Sequence, residues 1–558
     1  MLRLGASAWT QSGLRSLATA TLVGCVLTVL LTYPTAAHPG TRGRFDNGDG
    51  RFSIWNVSWV AHSLLDDPRR LFDANIFHPH PNTLTYSELN LVAGALAAPV
   101  YAATRNPVAA HNSAVLLGLL LAFLATWALV RRLTGSFGAG IVAATGYTFS
   151  AYTAAHTAHI QLLMIFGFPL VMLAFHRLAD RPTVPSGIWL GAALAAAALA
   201  SGYYGIFAIA LIGLATLFWA QRSARYWVAI ATAAATMAVL VLPVFVPFQK
   251  ARAAASATSP ASTQQIARYS AHWLDYVASG TTLDGKALEI VRDGIRPHVP
   301  SGLFQARNEV LFPGFVIVAL AVIGLWVSLR TTPHARAVLG YLLIAGAALW
   351  ASFGPSAGLY SVMAHTLPGM SLLRAPVRLG VVVIFALAVL AGFGLRQISA
   401  RRPWLPFVCL AVLVAELWVP WPLRETTPEP RPYHLLRDLP RGGVIEFPFT
   451  YTRTDFHQHT RPMLRSTTNW QPLVNGYSDF TPDDFYEIAE PVNGFPNARS
   501  FDILRGHQVR YVIVRLGDYG QYRQVLLDRF PPYERHLRLL ADEGDVRLYE
   551  IVSWPETR

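Results

Sequence analysis

Charge is scarce in this chain. Of its 558 residues 14% are charged, against about 25% in an average soluble globular protein, while 53% are hydrophobic and the mean hydropathy is +0.35. A disordered or fibrous chain is excluded, because so much apolar surface would have no partner. Cysteine is scarcer still. Cys25 and Cys409 each lie inside an apolar run, so neither a disulfide framework nor a cysteine-based metal site can be built. Lysine is almost missing: Lys250 and Lys286 stand among 45 basic residues, and the rest are arginine. With 32 acids the formal net charge is +13, a balance that in a soluble protein points to nucleic acid. No basic stripe interleaved with aromatics supports that reading. Many arginines instead occupy short loops between apolar runs, where membrane orientation accounts for them. Length alone allows several domains, but the composition indicates one polytopic membrane unit with a soluble appendage and no nucleic-acid partner.

A helix needs about 20 apolar residues to cross a bilayer core of ~30 Å. Runs near 17–36, 111–130, 136–150, 160–177, 186–200, 203–220, 226–246, 310–329, 336–352, 379–397 and 404–420 meet or approach that length. The first lacks a clear small-x-small cleavage site, although Ala36-Ala37-His38 comes close, and it reads as a retained anchor. The run 88–103 is short and broken by Gly94 and Pro99. If it does not span, and the N-terminus with Arg3 and Arg15 is cytoplasmic, the inner loops carry Arg131, Arg132, Arg177, Arg181, Arg222, Arg225, Arg330, Arg336, Arg396, Arg401 and Arg402 against one acid, Asp180. If it spans, all these arginines fall outside. The positive-inside bias therefore lays 88–103 along, or dipping into, the outer surface, with about eleven spans and an outer C-terminus. The expected fold class is an α-helical polytopic membrane protein, residues 1–423, with outer segments 38–110 and 247–309. A small extracytoplasmic α/β domain, 424–558, follows it. In that tail Gly443–Phe447, Val509–Arg515 and Val546–Val552 read as strands. The stretch 521–540 reads as helical in two pieces around Pro531-Pro532. Trp470, Tyr477, Phe480 and Phe485 read as the tail's own core, with sugar stacking as the alternative.

The first outer segment opens as Arg44-Phe45-Asp46-Asn47-Gly48-Asp49-Gly50, a few residues beyond the first span. Glycines there let the backbone turn sharply and approach a ligand. A carboxylate at this level can act as general base toward a sugar hydroxyl, or hold a divalent cation such as Mg or Mn against a phosphate. A solvated Asx turn is the plain alternative. Asp49 is the leading candidate and Asp46 its rival. Trp55, Trp59 and His62 follow at helical spacing, which suits a short amphipathic helix with its tryptophans at the membrane interface. His78 and His80, in a His-x-His without a third ligand, and Tyr86 are candidates for substrate contact. Glu88 is either a second carboxylate facing Asp49 or a helix N-terminal charge.

Polar groups recur at other outer span ends. His156 and His159 lie three apart and face one way on a helix; with Gln161 they suit hydrogen bonding to a substrate better than metal ligation. Tyr203 and Tyr204 form a tight outer turn and either stack on a sugar or anchor at the interface. Glu309 precedes the outer start of a span. Arg374 and Arg378 sit at the outer end of another, against the inside bias. A phosphate or diphosphate is the natural partner of such guanidinium groups, a salt bridge to the tail being the alternative.

The pattern resembles the GT-C superfamily of integral-membrane glycosyltransferases that use lipid-phosphate sugars. The residues that carry it are Gly48-Asp49-Gly50 with Trp55 and Trp59, and Asn75-Ile76-Phe77-His78-Pro79 leading to Tyr86-Ser87-Glu88. Arg131-Arg132-Leu133-Thr134-Gly135-Ser136 and Leu373–Arg378 add to it. The likeness covers roughly 15–420, and the tail, with Val444-Ile445-Glu446-Phe447-Pro448, is similar to that of bacterial members. It implies an essential acid in the first outer loop, matched here by Asp49 with Asp46 close by, and surface-lying helices after it. A polyprenyl-phosphate-linked sugar would be the donor, an extracytoplasmic glycan, lipid or protein the acceptor, and the bacterial inner membrane the location. The chain has Asp-x-x-Asp where a metal-dependent pattern would show Asp-Asp or Glu-x-Asp, which puts metal dependence in doubt. The rival readings are a transporter or flippase for a lipid-linked saccharide, disfavoured by the lack of mid-span charges and of an inverted repeat, and a non-catalytic envelope assembly protein.

Overall fold

The computed structural model describes residues 11–254, 262–295, 309–330, 334–367 and 369–556. Arg3 and parts of the second outer segment lie outside them. The chain divides into two compact units. One comprises Met1–His38, Ala114–Phe245 and Ser259–Pro422, the other Pro39–Ser113, Val246–Thr258 and Leu423–Arg558.

Among its described residues the first unit contains helices and no strand. Every apolar run read from the sequence as a span coincides with a helix. Among the described residues, six helices are long and apolar enough to cross a membrane: Gly13–Leu31, Pro107–Thr134, Ile160–Asp180, Ala224–Ala254, Ala335–Ser352 and Pro376–Ser399. Val184–Ala200, Gly202–Phe218 and Leu405–Leu417 are shorter apolar helices. Gly380–Ser399 is buried without interruption from Gly380 to Leu395, apart from Leu387, as expected of a helix that is apolar on every side. Its neighbour Phe315–Arg330 approaches it through paired glycines. A Cβ on Gly324 would lie 2.3 Å from the Leu390 carbonyl oxygen, and one on Gly394 1.9 Å from that of Leu320. Small residues let membrane helices meet backbone to backbone, where packing replaces the missing hydrophobic drive.

The second unit gathers the first outer segment and the tail into one body. The sequence reading had assigned that segment to the membrane domain. Buried polar pairing explains the different grouping. The Trp55 indole donates to Asn75 Oδ1 at 3.1 Å, and Asn75 Nδ2 donates to Ser466 Oγ and to the Gln471 carbonyl at 3.0 Å each. The Trp470 indole donates to the Tyr101 hydroxyl at 2.8 Å. Backbone bonds run from His78 to the Leu473 carbonyl (2.9 Å) and from Leu473 to the Asn75 carbonyl (2.8 Å). Strands β1 (Arg42–Gly43) and β2 (Arg424–Glu425) pair antiparallel. Trp55 and Trp59 are 1% and 5% exposed, so the expected interfacial tryptophans are core residues whose N–H groups found acceptors. Leu91–Thr104, from the run expected not to span, is a 14-residue helix. It packs on Gly48–Asp66, where a Cβ on Gly94 would meet Val60 at 2.2 Å.

The tail builds a four-stranded sheet from β3 (Gly443–Phe447), β4 (Val509–Arg515), β5 (Leu537–Glu543) and β6 (Val546–Ile551), in the order β3-β4-β6-β5. β3 and β4 are parallel and the other pairs antiparallel. Three of the strands match the sequence reading. The fourth corrects it: 521–540 holds a short helix, Arg523–Leu527, a 3-10 turn, Pro531–His536, and then β5. The two prolines end helical pairing, and the chain downstream joins β6 as an edge strand. Every residue of β3 is buried, including Glu446. Its carboxylate accepts a hydrogen bond from Arg465, whose guanidinium also lies 3.6 Å from Glu429. Removing one member of a buried pair strands the other charge. Glu446→Ala should therefore cost about 3 kcal/mol, read as a lower unfolding temperature of the full-length detergent-solubilised chain. An unchanged melting curve would contradict it.

Candidate functional site

The acidic loop belongs to the second unit. Asn47 caps helix Gly48–Asp66, its side chain accepting from the Gly50 N–H at 2.7 Å. Gly50 is required, because a Cβ there would lie 2.1 Å from the Arg44 carbonyl oxygen. That tight fold returns Arg44 onto Asp46, where Nε and Nη2 bond the two carboxylate oxygens at 2.9 and 3.2 Å. Partial burial pushes the Asp46 carboxyl up, but Arg44 more than offsets it and holds it below the usual range. Asp46 is thereby the weaker base. Asp49 is exposed in the first helical turn, where the helix dipole favours an anion. Two residues on, Arg51 is buried and donates to Thr460 Oγ1 at 2.9 Å and to the Phe45 carbonyl at 2.5 Å. Burial first, and then the charges of Arg461 and Arg465, bring Arg51 down to about 10, against the pull of Asp46 and Asp49.

Glu88 is placed elsewhere along the same helix. Its carbonyl accepts from Asn56 Nδ2 at 3.1 Å, seven residues and about 10 Å of helix past Asp49. Its charge, with that of Asp479, acts on Arg252, and Ser87 Oγ donates to Asp479 at 2.9 Å. Tyr86 is 3% exposed, with its ring 5.0 Å from Phe480 and 6.0 Å from Phe77, a core position. His80 Nε2 lies 3.0 and 2.8 Å from the two Asp484 oxygens, and His507 Nε2 lies 3.9 Å from Asp484 Oδ2. His78 packs on Gly443, and burial lowers its proton affinity. Among the described residues no group of three or more His, Cys, Asp or Glu is arranged to hold a metal ion.

The first unit assembles a different group. The Tyr203 hydroxyl accepts from the Arg374 N–H at 3.2 Å, and the Arg378 guanidinium lies 4.3 Å over the Tyr203 ring. Tyr204 is buried, its hydroxyl 3.0 Å from that of Tyr152 and donating to the Leu162 carbonyl at 2.9 Å, so it braces the fold and has no face for a sugar. His156 Nδ1 lies 2.8 Å from the Tyr152 carbonyl, and Nε2 lies 3.6 Å from Glu309 Oε2. Burial pushes His156 down to about 3, the Tyr152 carbonyl opposing. Burial raises Glu309, with Arg378 the main opposing charge. The His159 ring lies 6.2 Å from that of His156, and Gln161 is half-buried at the start of the next helix. Sequence reasoning had noted Glu309 without a role and had missed Tyr152 as its partner's anchor. An acid at an outer span end, matched by an arginine at another, was the signal available.

No family model and no curated protein matches the sequence. Solved structures do. The chain aligns over 99% of its length with 42% of the arabinofuranosyltransferase AftD from Mycobacteria, at 17% identity and a TM-score of 0.57. A second class of that mutant gives 98% and 42% coverage, 16% identity and 0.51. The Archaeoglobus fulgidus oligosaccharyltransferase, solved with Zn and sulfate, aligns over 94% of this chain and 71% of its own, at 14% identity and 0.50. The chain thus spans under half of AftD and about seven-tenths of the oligosaccharyltransferase. These neighbours are GT-C glycosyltransferases.

The Asp484 clamp sets a pH dependence. The Asp484 carboxylate, 3.9 Å away, raises His507 most, burial opposing, and the two histidines hold Asp484 well below the usual carboxylate range. The His507 contribution is full below its unfolded value near ~6.5 and is lost as pH rises through its folded value; the Asp484 contribution is lost only below about pH 4. The melting-temperature gap between the wild type and Asp484→Asn is expected to be widest near about pH 6 and to narrow toward about pH 9. A gap that widens with pH would refute the assignment.

Proposed function

We propose that the chain is a membrane glycosyltransferase of the GT-C type, a reading supported by its structural likeness to an arabinofuranosyltransferase and an oligosaccharyltransferase. It moves a sugar from a polyprenyl-phosphate carrier to an extracytoplasmic acceptor: a glycan, lipid or protein of the envelope. In this reading the inner membrane is its location, with the N-terminus cytoplasmic and the tail outside. Arg374 and Arg378 are the residues proposed for the donor phosphate, and Asp49 is the residue proposed as base toward an acceptor hydroxyl, both roles taken from the sequence reading. The bond from the anomeric carbon to the phosphate oxygen breaks, its electron pair leaves with the lipid phosphate, and the guanidinium charge stabilises the leaving group. The observation that carries the reading is Arg378, a cation at the end of a buried apolar helix with its guanidinium 4.3 Å over the Tyr203 ring. A fixed cation at that level suits the phosphate of a lipid whose tail lies among the spans. Asp49 supports the base role by its exposed place in the first turn of its helix. The residues described do not form a three-ligand set for Mg or Mn, so no step is routed through a cation.

The test is transfer by the purified chain in nanodiscs from a panel of polyprenyl-phosphate sugars, read as release of polyprenyl phosphate. Asp49→Asn should lower turnover by about 100-fold or more, and Arg378→Gln should lower it comparably, both with wild-type melting curves. A lipid-linked-saccharide flippase or an assembly protein would release no polyprenyl phosphate with any donor, and Asp49→Asn at full activity would end the base assignment.

A further inference from the structure

Trp470 and Phe485, aromatic candidates for sugar stacking in the tail, are 8% and 3% exposed and belong to its core. Two other rings of the tail face an open cavity. Phe530 and Tyr549 lie 5.2 Å apart, centroid to centroid, with their planes inclined at 32°. With Leu527, Glu534, Leu539 and Arg547 they line a cavity of about 420 Å³. Small-molecule sites run from about 300 to 1,000 Å³. All six residues lie within the second unit, and the proposed transfer uses none of them.

The sheet makes one side of the cavity. Side chains two apart on a strand share a face, so Arg547 and Tyr549 of β6 project together, and Leu539 of β5 is the register partner of Tyr549. The proline-rich connection makes the other side. Leu527 ends the helix Arg523–Leu527, and Phe530 and Glu534 flank the turn closed by the Tyr533 N–H on the Phe530 carbonyl at 2.8 Å. The polar groups are set in place before any ligand arrives. Arg547 Nε donates to Asp542 Oδ2 at 2.9 Å, and the guanidinium also bonds the Tyr549 side chain. A guanidinium has five N–H donors, so some remain for a ligand. Glu534 is exposed, and its carboxylate accepts no hydrogen bond from another described residue.

This lining discriminates between ligand classes. An anion meets the Glu534 charge as well as that of Arg547. A purely apolar molecule strips water from both charges and returns no hydrogen bond. A peptide strand would add to the free edge of β5. That edge is blunted by a register shift between Leu539 and Ala541, by the helix Arg431–Asp438 packed on β5, and by the bond from the Arg431 N–H to Glu543, devices that discourage strand addition. A sugar ring satisfies all three features at once. Its C–H face packs on the rings, while its hydroxyls donate to the carboxylate and accept from the guanidinium. We propose that the cavity between β5, β6 and the Phe530–Glu534 turn binds a neutral saccharide, as a second carbohydrate site apart from the residues assigned to transfer. The choice of a saccharide over other neutral polyols rests on the glycosyltransferase reading, under which this site holds a glycan on the tail.

The test uses the full-length chain in nanodiscs and neutral trisaccharides of glucose, mannose, galactose and arabinose, with binding followed by titration calorimetry. At least one of them should bind. Glu534→Ala, at an exposed position, should weaken that binding about tenfold, as the loss of a hydrogen bond to a charged group does, and should keep the wild-type melting curve. Arg547→Gln should weaken it by a similar factor. Tyr549→Ala removes the stacking wall and should abolish binding. Should that variant not fold, Leu539→Arg, at a position 50% exposed, fills the cavity from its rim and should abolish binding without touching the core. Failure of every trisaccharide to bind, or binding that Glu534→Ala, Arg547→Gln and Leu539→Arg all leave unchanged, would overturn the proposal. So would tighter binding of a sulfated trisaccharide, or of an octapeptide of alternating Thr and Val, at the same residues. Trisaccharide binding lost in Leu539→Arg, in a chain that releases no polyprenyl phosphate from any donor, would leave the saccharide site standing and remove the enzyme reading. Transfer by a chain whose cavity binds no saccharide would do the reverse.

Discussion

A single buried amide organises the non-spanning part of this protein. Asn75 accepts from the Trp55 indole through its oxygen and donates through its nitrogen to Ser466 and to the Gln471 backbone. Each of those groups is buried, and a buried polar group left unpaired carries the full penalty of leaving water. Satisfying them requires a segment from the first hundred residues and one from the last hundred to fold as a single body. The neighbouring indole of Trp470, bonded to Tyr101 and stacked 4.8 Å from His62, follows from the same grouping. So does the Asp484 clamp between His80 and His507. The acidic turn of residues 44–51 takes its shape within that body, through the Asn47 cap and the Arg51 bond to Thr460.

The helical unit obeys a different constraint. With apolar side chains equally content in lipid or protein, helix association depends on how closely backbones approach. Gly324 and Gly394 permit that contact around a helix buried on every side. Against such a background each ionisable group at a span end stands out, because its charge has to be paired, hydrated or given up. Glu309, His156 and Arg378 use different answers: a carboxylate 3.6 Å from an imidazole, that imidazole held neutral by burial, and a guanidinium over an aromatic ring.

The same physics separates the candidate residues. Asp46 and Asp49 are three apart and rank as rivals by sequence, and a bidentate arginine lowers the basicity of Asp46 while Asp49 sits in the first turn of a helix. Tyr203 and Tyr204 are adjacent, yet the helix turns one beneath Arg378 and the other into a hydroxyl pair with Tyr152. Fold likeness to AftD and to the oligosaccharyltransferase at 17% and 14% identity says nothing about such pairs, since architecture tolerates many side-chain sets.

Apolar run length by itself determined the helical, polytopic membrane class and the position of each apolar helix. These are properties of one segment against its solvent, and composition carries them. Alternation and β-branching likewise marked β3, β4 and β6, whose burial is nearly uniform. The tertiary structure alone decided that the first outer segment shares a core with the tail, that Trp55 and Trp59 are buried, that the chain beyond Pro531-Pro532 becomes an edge strand, and that Glu309 meets His156. Each of these depends on a partner hundreds of residues away or on a choice between two faces of similar composition. No local pattern encodes such a partner, because the free energy that selects it exists only once both groups have left water together.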